Sequence, residues 1–203
     1  MPVKVKICGV CTVDDARAAA AAGADFIGLN FHPASPRYVE PERARAIADA
    51  VPATPLVGVS VDATRVRVEE IAAVVGLAAL QFHGDEDSAY CAGWPWRTIK
   101  ALRARPGADL AHEGARYATD YLLIDSYELG RAGGTGRPLD PAAATGLPAG
   151  RLFVAGGLRP ETVAGVVARL RPFAVDVASG VEDRPGRKDH GKIEAFIRAA
   201  KAA

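Results

Sequence analysis

The sequence has no long apolar run, no excess of charge of either sign and few cysteines, and each of these absences argues against a class of protein. No segment approaches the ~20 apolar residues that a membrane-spanning helix needs, so we expect no membrane partner. The first ten residues, MPVKVKICGV, alternate in polarity and do not resemble the core of a signal peptide. The 25 Lys and Arg residues are balanced by 24 Asp and Glu residues, and this leaves none of the basic excess that is typical of nucleic-acid binders. We therefore expect neither a membrane nor a nucleic acid as a partner.

Cysteine is also scarce, with Cys8, Cys11 and Cys91 as its only occurrences. An odd number this low does not suit a secreted disulfide framework and predicts a reducing, cytoplasmic environment. The remaining composition, 49% hydrophobic and 24% charged over 203 residues, is that of a globular protein. We expect one domain that spans residues 1–203.

The chain alternates between short β-branched runs and alanine-rich segments with helical spacing. Strands are predicted over residues 3–8, 25–31, 56–61, 79–83, 98–102, 121–124, 152–155 and 173–178. Helices are predicted over 13–22, from 41, over 65–75, from 86, and over 108–117, 141–145, 160–170 and 188–201. Eight such units favour an α/β fold with a closed parallel (β/α)8 TIM barrel, compact, with short fourth and fifth helical segments. An open Rossmann-like sheet is the alternative if one of those two weak units is miscounted.

Polar residues and glycines cluster where the predicted strands end. Cys8 ends the first strand, Arg37 follows the second, His83 ends the fourth and Asp125 ends the sixth. In a parallel barrel these ends form the face that carries the active site. The position of His83 is compatible with two interpretations, a site residue and a hydrogen-bonded structural histidine.

Glycine-rich loops follow the last three strands. Gly156-Gly157 and Ser179-Gly180 follow the seventh and eighth strands, where this fold often binds phosphate through backbone N–H groups. The loop after the sixth strand reads Gly133-Gly134-Thr135-Gly136 and suits either a flap over the substrate or a simple connection. We predict a phosphate site at the seventh and eighth loops.

Cys8 and Cys11 form a CxxC motif. A zinc site needs about four ligands, and no second CxxC or HxxxH pattern occurs, so no metal is predicted. A thiol–disulfide function and two buried small hydrophobic residues both remain open interpretations. Cys91 lies in a predicted helix and is expected in the core.

A thiol and a carboxyl on opposite sides of one barrel can act as base and acid. Cys8 and Asp125 occupy such positions and suit a proton-transfer reaction. A thiolate base requires a lowered pKa at Cys8, which a nearby cation can supply. Arg37 offers a planar fork for a carboxylate. The pocket therefore suits a substrate that carries a phosphate at one end and a carboxylate at the other.

The chain resembles the phosphoribosylanthranilate isomerase family of tryptophan biosynthesis along nearly its whole length. The matching stretches are KICG (6–9), SPRYV (35–39), VGV (57–59), LQFHG (80–84), IKA (99–101), LLIDS (122–126), GGTG (133–136), AGGL (155–158), RPFAVDVASGVE (171–182) and PGRKDH (185–190). KICG near one end combined with VDVASGVE and PGRKD near the other is a highly specific combination.

The resemblance implies a (β/α)8 barrel that performs an Amadori rearrangement without a cofactor, because the substrate's own amine supplies the electron sink. It implies that Cys8 is the general base, that Asp125 is the general acid and that Arg37 holds the anthranilate carboxylate. Gly156, Gly157, Ser179 and Gly180 would bind the phosphate through their backbones. His83, Gly134 and Asp176, in the matching stretches, are also predicted to bind substrate. The partner is a small phosphorylated molecule, and the protein is expected to be a monomer or a homodimer.

Other functions remain as alternatives. Indole-3-glycerol-phosphate synthase, the next barrel enzyme of that pathway, uses lysines on its strands, and the second and third strands here contain none. A non-catalytic phosphate binder on a decayed barrel would have lost its acid or base, yet Cys8 and Asp125 are both present. Activity on the related aminoaldose of histidine biosynthesis stays open.

Overall fold

Eight parallel strands close into a barrel in the computed structural model, which describes residues 2–126 and 141–203. The strands are β1 (Lys4–Cys8), β2 (Phe26–Asn30), β3 (Leu56–Ser60), β4 (Ala79–Phe82), β5 (Arg97–Ala104), β6 (Tyr121–Ser126), β7 (Leu152–Val154) and β8 (Ala174–Val177). Each strand pairs with the next in sequence, and β8 returns to β1 with Val5 opposite Val175. The predicted TIM barrel is confirmed, and the open-sheet alternative is wrong because an open sheet would leave β1 and β8 unpaired.

Helices connect most of the strands. They are α1 (Val13–Ala21), α2 (Pro41–Ala50), α3 (Arg65–Val75), α4 (Ser88–Cys91), α5 (Leu110–Ala115), α6 (Val163–Leu170) and α7 (His190–Lys201). The short α4 and α5 agree with the prediction. Local signals fix several ends: the Thr12 hydroxyl accepts from Asp15 N at 3.1 Å at the start of α1, and Gly76 ends α3 with a φ of 77°.

Two predicted helices differ clearly in the structure. The helix predicted over 141–145 is a 3-10 turn, Pro141–Ala144, with Thr145 N bonded to Ala142 O at 3.1 Å. The helix predicted from residue 160 begins at Val163, after a turn in which Thr162 N bonds to Arg159 O. Both segments are too short to propagate a full helical hydrogen-bond ladder before the chain changes direction.

A small hairpin was missed by the sequence analysis. Strands β9 (Glu182–Arg184) and β10 (Arg187–Lys188) pair antiparallel around a turn at Pro185 and Gly186, and Gly186 has a φ of 80°. Proline followed by glycine is the signature of a tight turn that could have revealed it. The hairpin occupies residues that were expected to begin the last helix, which therefore starts at His190.

The barrel interior is filled by alternate residues of the strands. Its lower part is a packed apolar layer that includes Phe153 and Leu123, and Phe153 contacts the rings of Phe26, Tyr121 and Phe173. This plug closes the end opposite the strand termini, so the interior is open only where the polar residues lie. Among residues 2–126 and 141–203, no helix is long and apolar enough to span a bilayer.

Candidate active site at the carboxyl ends of the barrel strands

A pocket of about 610 Å³ lies at the carboxyl ends of the strands. It is lined by almost all of the residues that the sequence singled out, namely Cys8, Arg37, His83, Asp125, Gly156, Gly157, Asp176, Ser179 and Gly180. Gly134 lies outside the described residues, as does the loop that was interpreted as a flap. The structure therefore brings into one cavity groups that are far apart along the chain.

Cys8 is the last residue of β1, and its side chain is on the same inward face as that of Lys6. Gly28, its partner on β2, leaves the room that both need, because a Cβ there would lie 2.9 Å from Cys8 Sγ and 3.0 Å from Lys6 Cε. Burial raises the pKa of the Cys8 thiol, while the Lys6 ammonium beside it acts to lower that pKa. On balance the pKa of the Cys8 thiol is raised, because desolvation outweighs the nearby cation, whereas a thiolate base requires a lowered pKa.

Lys6 is fully buried and connects two sides of the barrel. Its Nζ donates to Gln81 Oε1 on β4 at 2.9 Å and to Asp176 Oδ1 on β8 at 3.0 Å. Asp176 was predicted to bind substrate, and in this structure it also balances the Lys6 charge. Such balance matters, since a buried charge without a partner is strongly destabilising.

Gln81, His83 and Asp125 continue this row of polar groups. Gln81 Nε2 lies 3.0 Å from His83 Nδ1, and His83 Nε2 lies 3.4 Å from Asp125 Oδ2. Asp125 is buried at the end of β6, opposite Arg103 of β5. A continuous chain of polar side chains thus runs from Lys6, beside the thiol, to the carboxyl of Asp125.

Arg37 is held by the β9–β10 hairpin. Its Nε and Nη2 donate to the two carboxylate oxygens of Glu182 at 2.8 and 2.7 Å. Lys188 Nζ donates to Glu182 Oε1 at 3.0 Å and to the Ala178 carbonyl oxygen. Although burial acts to raise it, the pKa of Glu182 is lowered by its hydrogen bonds and its charge attraction to Arg37 and Lys188. Arg37 and Lys188 therefore share one carboxylate beside the pocket, and burial lowers the pKa of Lys188.

The two predicted phosphate loops lie side by side because β7 and β8 are neighbours. Gly156 and Gly157 have φ angles of 92° and 62°, which side chains with a Cβ rarely adopt. Ser179 begins a 3-10 turn, Ser179–Val181, directly after β8. Both stretches of backbone line the pocket at the position where this fold often binds phosphate.

The CxxC motif is present as two thiols. Cys8 and Cys11 are free and partly exposed, and Cys91 is free and buried, as expected for a core residue. Cys11 Sγ lies 3.4 Å from the Arg37 carbonyl oxygen. In the described part of the chain, no three His, Cys, Asp or Glu side chains are grouped as metal ligands.

Four residues that form ion pairs or hydrogen bonds with the predicted site residues had been given no role in the sequence analysis, namely Lys6, Gln81, Glu182 and Lys188. The sequence contains a signal for two of them. Lys6 lies two positions before Cys8, and Gln81 lies two positions before His83, so each shares a strand face with a predicted site residue. No comparable signal placed Glu182 and Lys188 at the site, since the hairpin that carries them was not predicted.

Comparisons with known proteins agree with this geometry. Residues 5–199 match the family model described as N-(5'phosphoribosyl)anthranilate (PRA) isomerase. A relative from Pseudomonas putida, named N-(5'-phosphoribosyl)anthranilate isomerase, is 47% identical over 99% of this chain and 98% of its own length.

Solved structures are similar as well. The crystal structure of phosphoribosyl anthranilate isomerase from Thermotoga maritima superimposes with a TM-score of 0.88 at 35% identity, over 99% of this chain and all of that one. A second structure of such an isomerase, in complex with reduced 1-(o-carboxyphenylamino)-1-deoxyribulose 5-phosphate, gives a TM-score of 0.84 at 35% identity, with 99% and 100% coverage.

Proposed function

This chain belongs to the N-(5'-phosphoribosyl)anthranilate isomerase family, and we propose that its barrel mouth performs the family's rearrangement with Cys8 as general base and Asp125 as general acid. The reaction converts N-(5-phosphoribosyl)anthranilate, an aminoaldose, into 1-(2-carboxyphenylamino)-1-deoxyribulose 5-phosphate, an aminoketose. It is the third step of tryptophan biosynthesis. The observation that carries the proposal for the residues is the presence of Cys8 and Asp125 in one pocket, joined by a row of polar side chains.

The rearrangement is a proton relocation without net redox change. Asp125 donates a proton to the furanose ring oxygen, the ring C–O bond breaks, and the nitrogen lone pair forms a Schiff base with C1′. The Cys8 thiolate then removes the C2′ proton, and that electron pair neutralises the Schiff base to give an enolamine. Tautomerisation yields the ketone; Cys8 releases its proton to solvent, and the Asp125 carboxylate takes up a proton from solvent, so both groups are restored. The Lys6 ammonium favours the thiolate because it lies next to Cys8.

The charged ends of the substrate match the two sides of the pocket. Arg37, whose guanidinium is oriented by Glu182 and keeps further N–H donors, would hold the anthranilate carboxylate. The backbone of Gly156, Gly157, Ser179 and Gly180 would hold the phosphate. Asp176 and His83 face the substrate between these ends. We further propose that the small phosphorylated substrate is the main partner, that the chain works as a monomer or a homodimer, and that its three free thiols suit the cytoplasm.

The test follows the decay of substrate fluorescence with purified protein. Cys8→Ser and Asp125→Asn are expected to lower kcat by about 10²–10⁴, the usual contribution of general acid–base catalysis. Cys11→Ser is the matched control, because Cys11 lies outside the pocket and is expected to leave activity unchanged. Full activity in Cys8→Ala would contradict the proposed base. Loss of activity in Cys11→Ser with none in Cys8→Ser would favour thiol–disulfide chemistry instead.

A further inference from the structure

The row of side chains from Lys6 to Asp125 has a fixed hydrogen-bond direction. Lysine carries only donors, so the end of the Gln81 amide that faces Lys6 Nζ at 2.9 Å must be the oxygen. The opposite end, Nε2, carries only donors and lies 3.0 Å from His83 Nδ1. His83 Nδ1 must then accept, which means that it bears no proton.

The proton of the neutral His83 ring therefore lies on Nε2, the nitrogen that faces Asp125 Oδ2. In a doubly protonated ring the N–H group on Nδ1 would face the N–H groups of the Gln81 amide, and two donors would meet without an acceptor. The buried amide cannot flip to relieve this, because its nitrogen would then face the Lys6 ammonium, which is also a donor. Lys6 in turn stays charged because Asp176 pairs with it at 3.0 Å. The charged Lys6, held by Asp176, thus determines the orientation of the Gln81 amide, and that amide determines which nitrogen of His83 carries the proton.

We propose that Gln81 is a positioning residue that fixes the tautomer of His83, so that His83 meets Asp125 as a donor and never as a proton acceptor. This inference rests on the proposed role of Asp125 as general acid. A donor at Oδ2 leaves the acidic proton on the other carboxyl oxygen and prevents its loss to the imidazole. The two atoms are 3.4 Å apart, too far for a strong hydrogen bond, and we expect the contact to close to a charge-assisted hydrogen bond that stabilises the carboxylate once the proton has been delivered.

Gln81 suits this task because of where it lies. It is the only glutamine of the sequence, it is 1% exposed, and it occupies the inward face of β4 two residues before His83. Leu80, its neighbour, lies on the outward face of the same strand among apolar residues. Gln81 therefore makes the polar contacts of this strand in the barrel interior, whereas Leu80 packs against apolar residues outside the barrel.

The first measurement uses the wild-type protein with ¹⁵N-labelled histidine and long-range ¹H–¹⁵N NMR near neutral pH. The four histidines are assigned with a His83→Asn variant, and His83 is expected to show the neutral Nε2–H pattern. A wild-type His83 ring that carries its proton on Nδ1, or on both nitrogens, would overturn the proposal without any variant having to fold.

The second measurement uses Gln81→Glu and Gln81→Met. A glutamate accepts from Lys6 with one oxygen and demands a donor from His83 with the other, so His83 should acquire a proton on Nδ1. We expect kcat to fall about 10- to 100-fold, as when other orienting partners of a functional histidine are removed, with KM changed less than about threefold. Gln81→Met should lose the tautomer preference and part of kcat, while the volume-conserving Leu80→Met should change neither tautomer nor kinetics.

The results separate this inference from the proposed function. A Gln81→Glu protein with wild-type kcat, or with an unchanged His83 tautomer, contradicts the role of Gln81 even if Asp125→Asn is inactive. A fully active Asp125→Asn protein contradicts the acid role instead, whatever tautomer His83 is found to have.

Discussion

The Arg37 guanidinium and the Glu182 carboxylate meet through two parallel hydrogen bonds, 2.8 Å from Nε and 2.7 Å from Nη2. This pairing uses two of the five donors of the arginine and fixes the plane of the remaining ones at the pocket wall. The arginine whose planar fork was predicted to suit a carboxylate is therefore itself oriented by a carboxylate of the hairpin.

Glu182→Gln tests this preorganisation. The variant keeps the shape of the side chain but removes the charge that Arg37 and Lys188 share, so Arg37 loses its fixed orientation. We expect KM for substrate to rise about tenfold with a smaller change in kcat, and Arg37→Lys to raise KM at least as much because lysine lacks the planar fork. Steady-state kinetics measures both. Glu194→Gln, the same change on the exposed side of α7, should have no effect, and a fall in kcat alone would refute the binding role.

Gly28→Ala tests the space around the base. The added Cβ would lie 2.9 Å from Cys8 Sγ, closer than real Cβ contacts, so the thiol must move. We expect kcat/KM to fall about 100-fold, the effect of a displacement near 1 Å at a reacting group. Gly165→Ala in α6 is the control, since its Cβ meets nothing within 4 Å and alanine favours the helix by about 0.5–1 kcal/mol. Unchanged activity in Gly28→Ala would mean that the position of Cys8 Sγ is not critical.

The thiol of Cys8 should react more slowly at neutral pH than an exposed thiol. Burial raises its pKa, so the thiolate fraction and the rate of alkylation by iodoacetamide should still be increasing as pH rises above 8. In a background without Cys11 and Cys91, the double variant Lys6→Met with Asp176→Asn removes the cation together with its partner. We expect the alkylation profile, followed by mass spectrometry, to move to higher pH. A move to lower pH would show that Lys6 does not support the thiolate.

Asp25 should stabilise the fold at neutral pH and lose that effect in acid. Burial acts to raise the pKa of Asp25, but hydrogen bonds from Lys4 and Val5 N and the pairing with Lys201 hold it below its usual value. A lowered pKa gives stability that is present above the unfolded-state value of about 3.9 and is lost as pH falls through the lower folded value.

Asp25→Asn is therefore expected to reduce the free energy of unfolding by about 1–2 kcal/mol at pH 7, with the difference from wild type shrinking towards pH 2. Urea unfolding at several pH values measures this. Asp49→Asn, which breaks the exposed pair with Arg45, should leave stability nearly unchanged. An effect of Asp25→Asn that grows in acid would contradict the sign.

Helix α3 and the segment after β6 illustrate how far sequence reasoning reached. The bounds of Arg65–Val75 agree with the prediction, since Gly76 stops the helix and Thr64 caps its start, and both signals lie next to the segment itself. Residues 141–145 were expected to be a helix and form a 3-10 turn, because proline and alanine at a helix start do not determine whether the ladder continues. Local signals were sufficient only where the decisive contacts are also local.

The same distinction applies to the site. Cys8 and Asp125 could be singled out because each stands at a strand end, a position that can be read from the chain. The raised pKa of the Cys8 thiol could not be predicted from the sequence, since the extent of burial at the barrel mouth is a property of packing. The turn of the hairpin has a local signal in Pro185-Gly186, but its contact with Arg37 could not be predicted because the two partners are 145 residues apart.

The eight strands, most of the helices between them and the residues at the rim could be predicted from the sequence, because hydrophobic periodicity and capping signals act between near neighbours. The tertiary structure alone decided which polar groups meet. Lys6 reaches Gln81 and Asp176, 75 and 170 residues away, only when the barrel closes and sets the register of β1 against β2 and β8. When the barrel closes, alternate side chains of every strand face one shared interior. The polar side chains between Cys8 and Asp125 meet in that interior, and their contacts there set the direction of the hydrogen bonds.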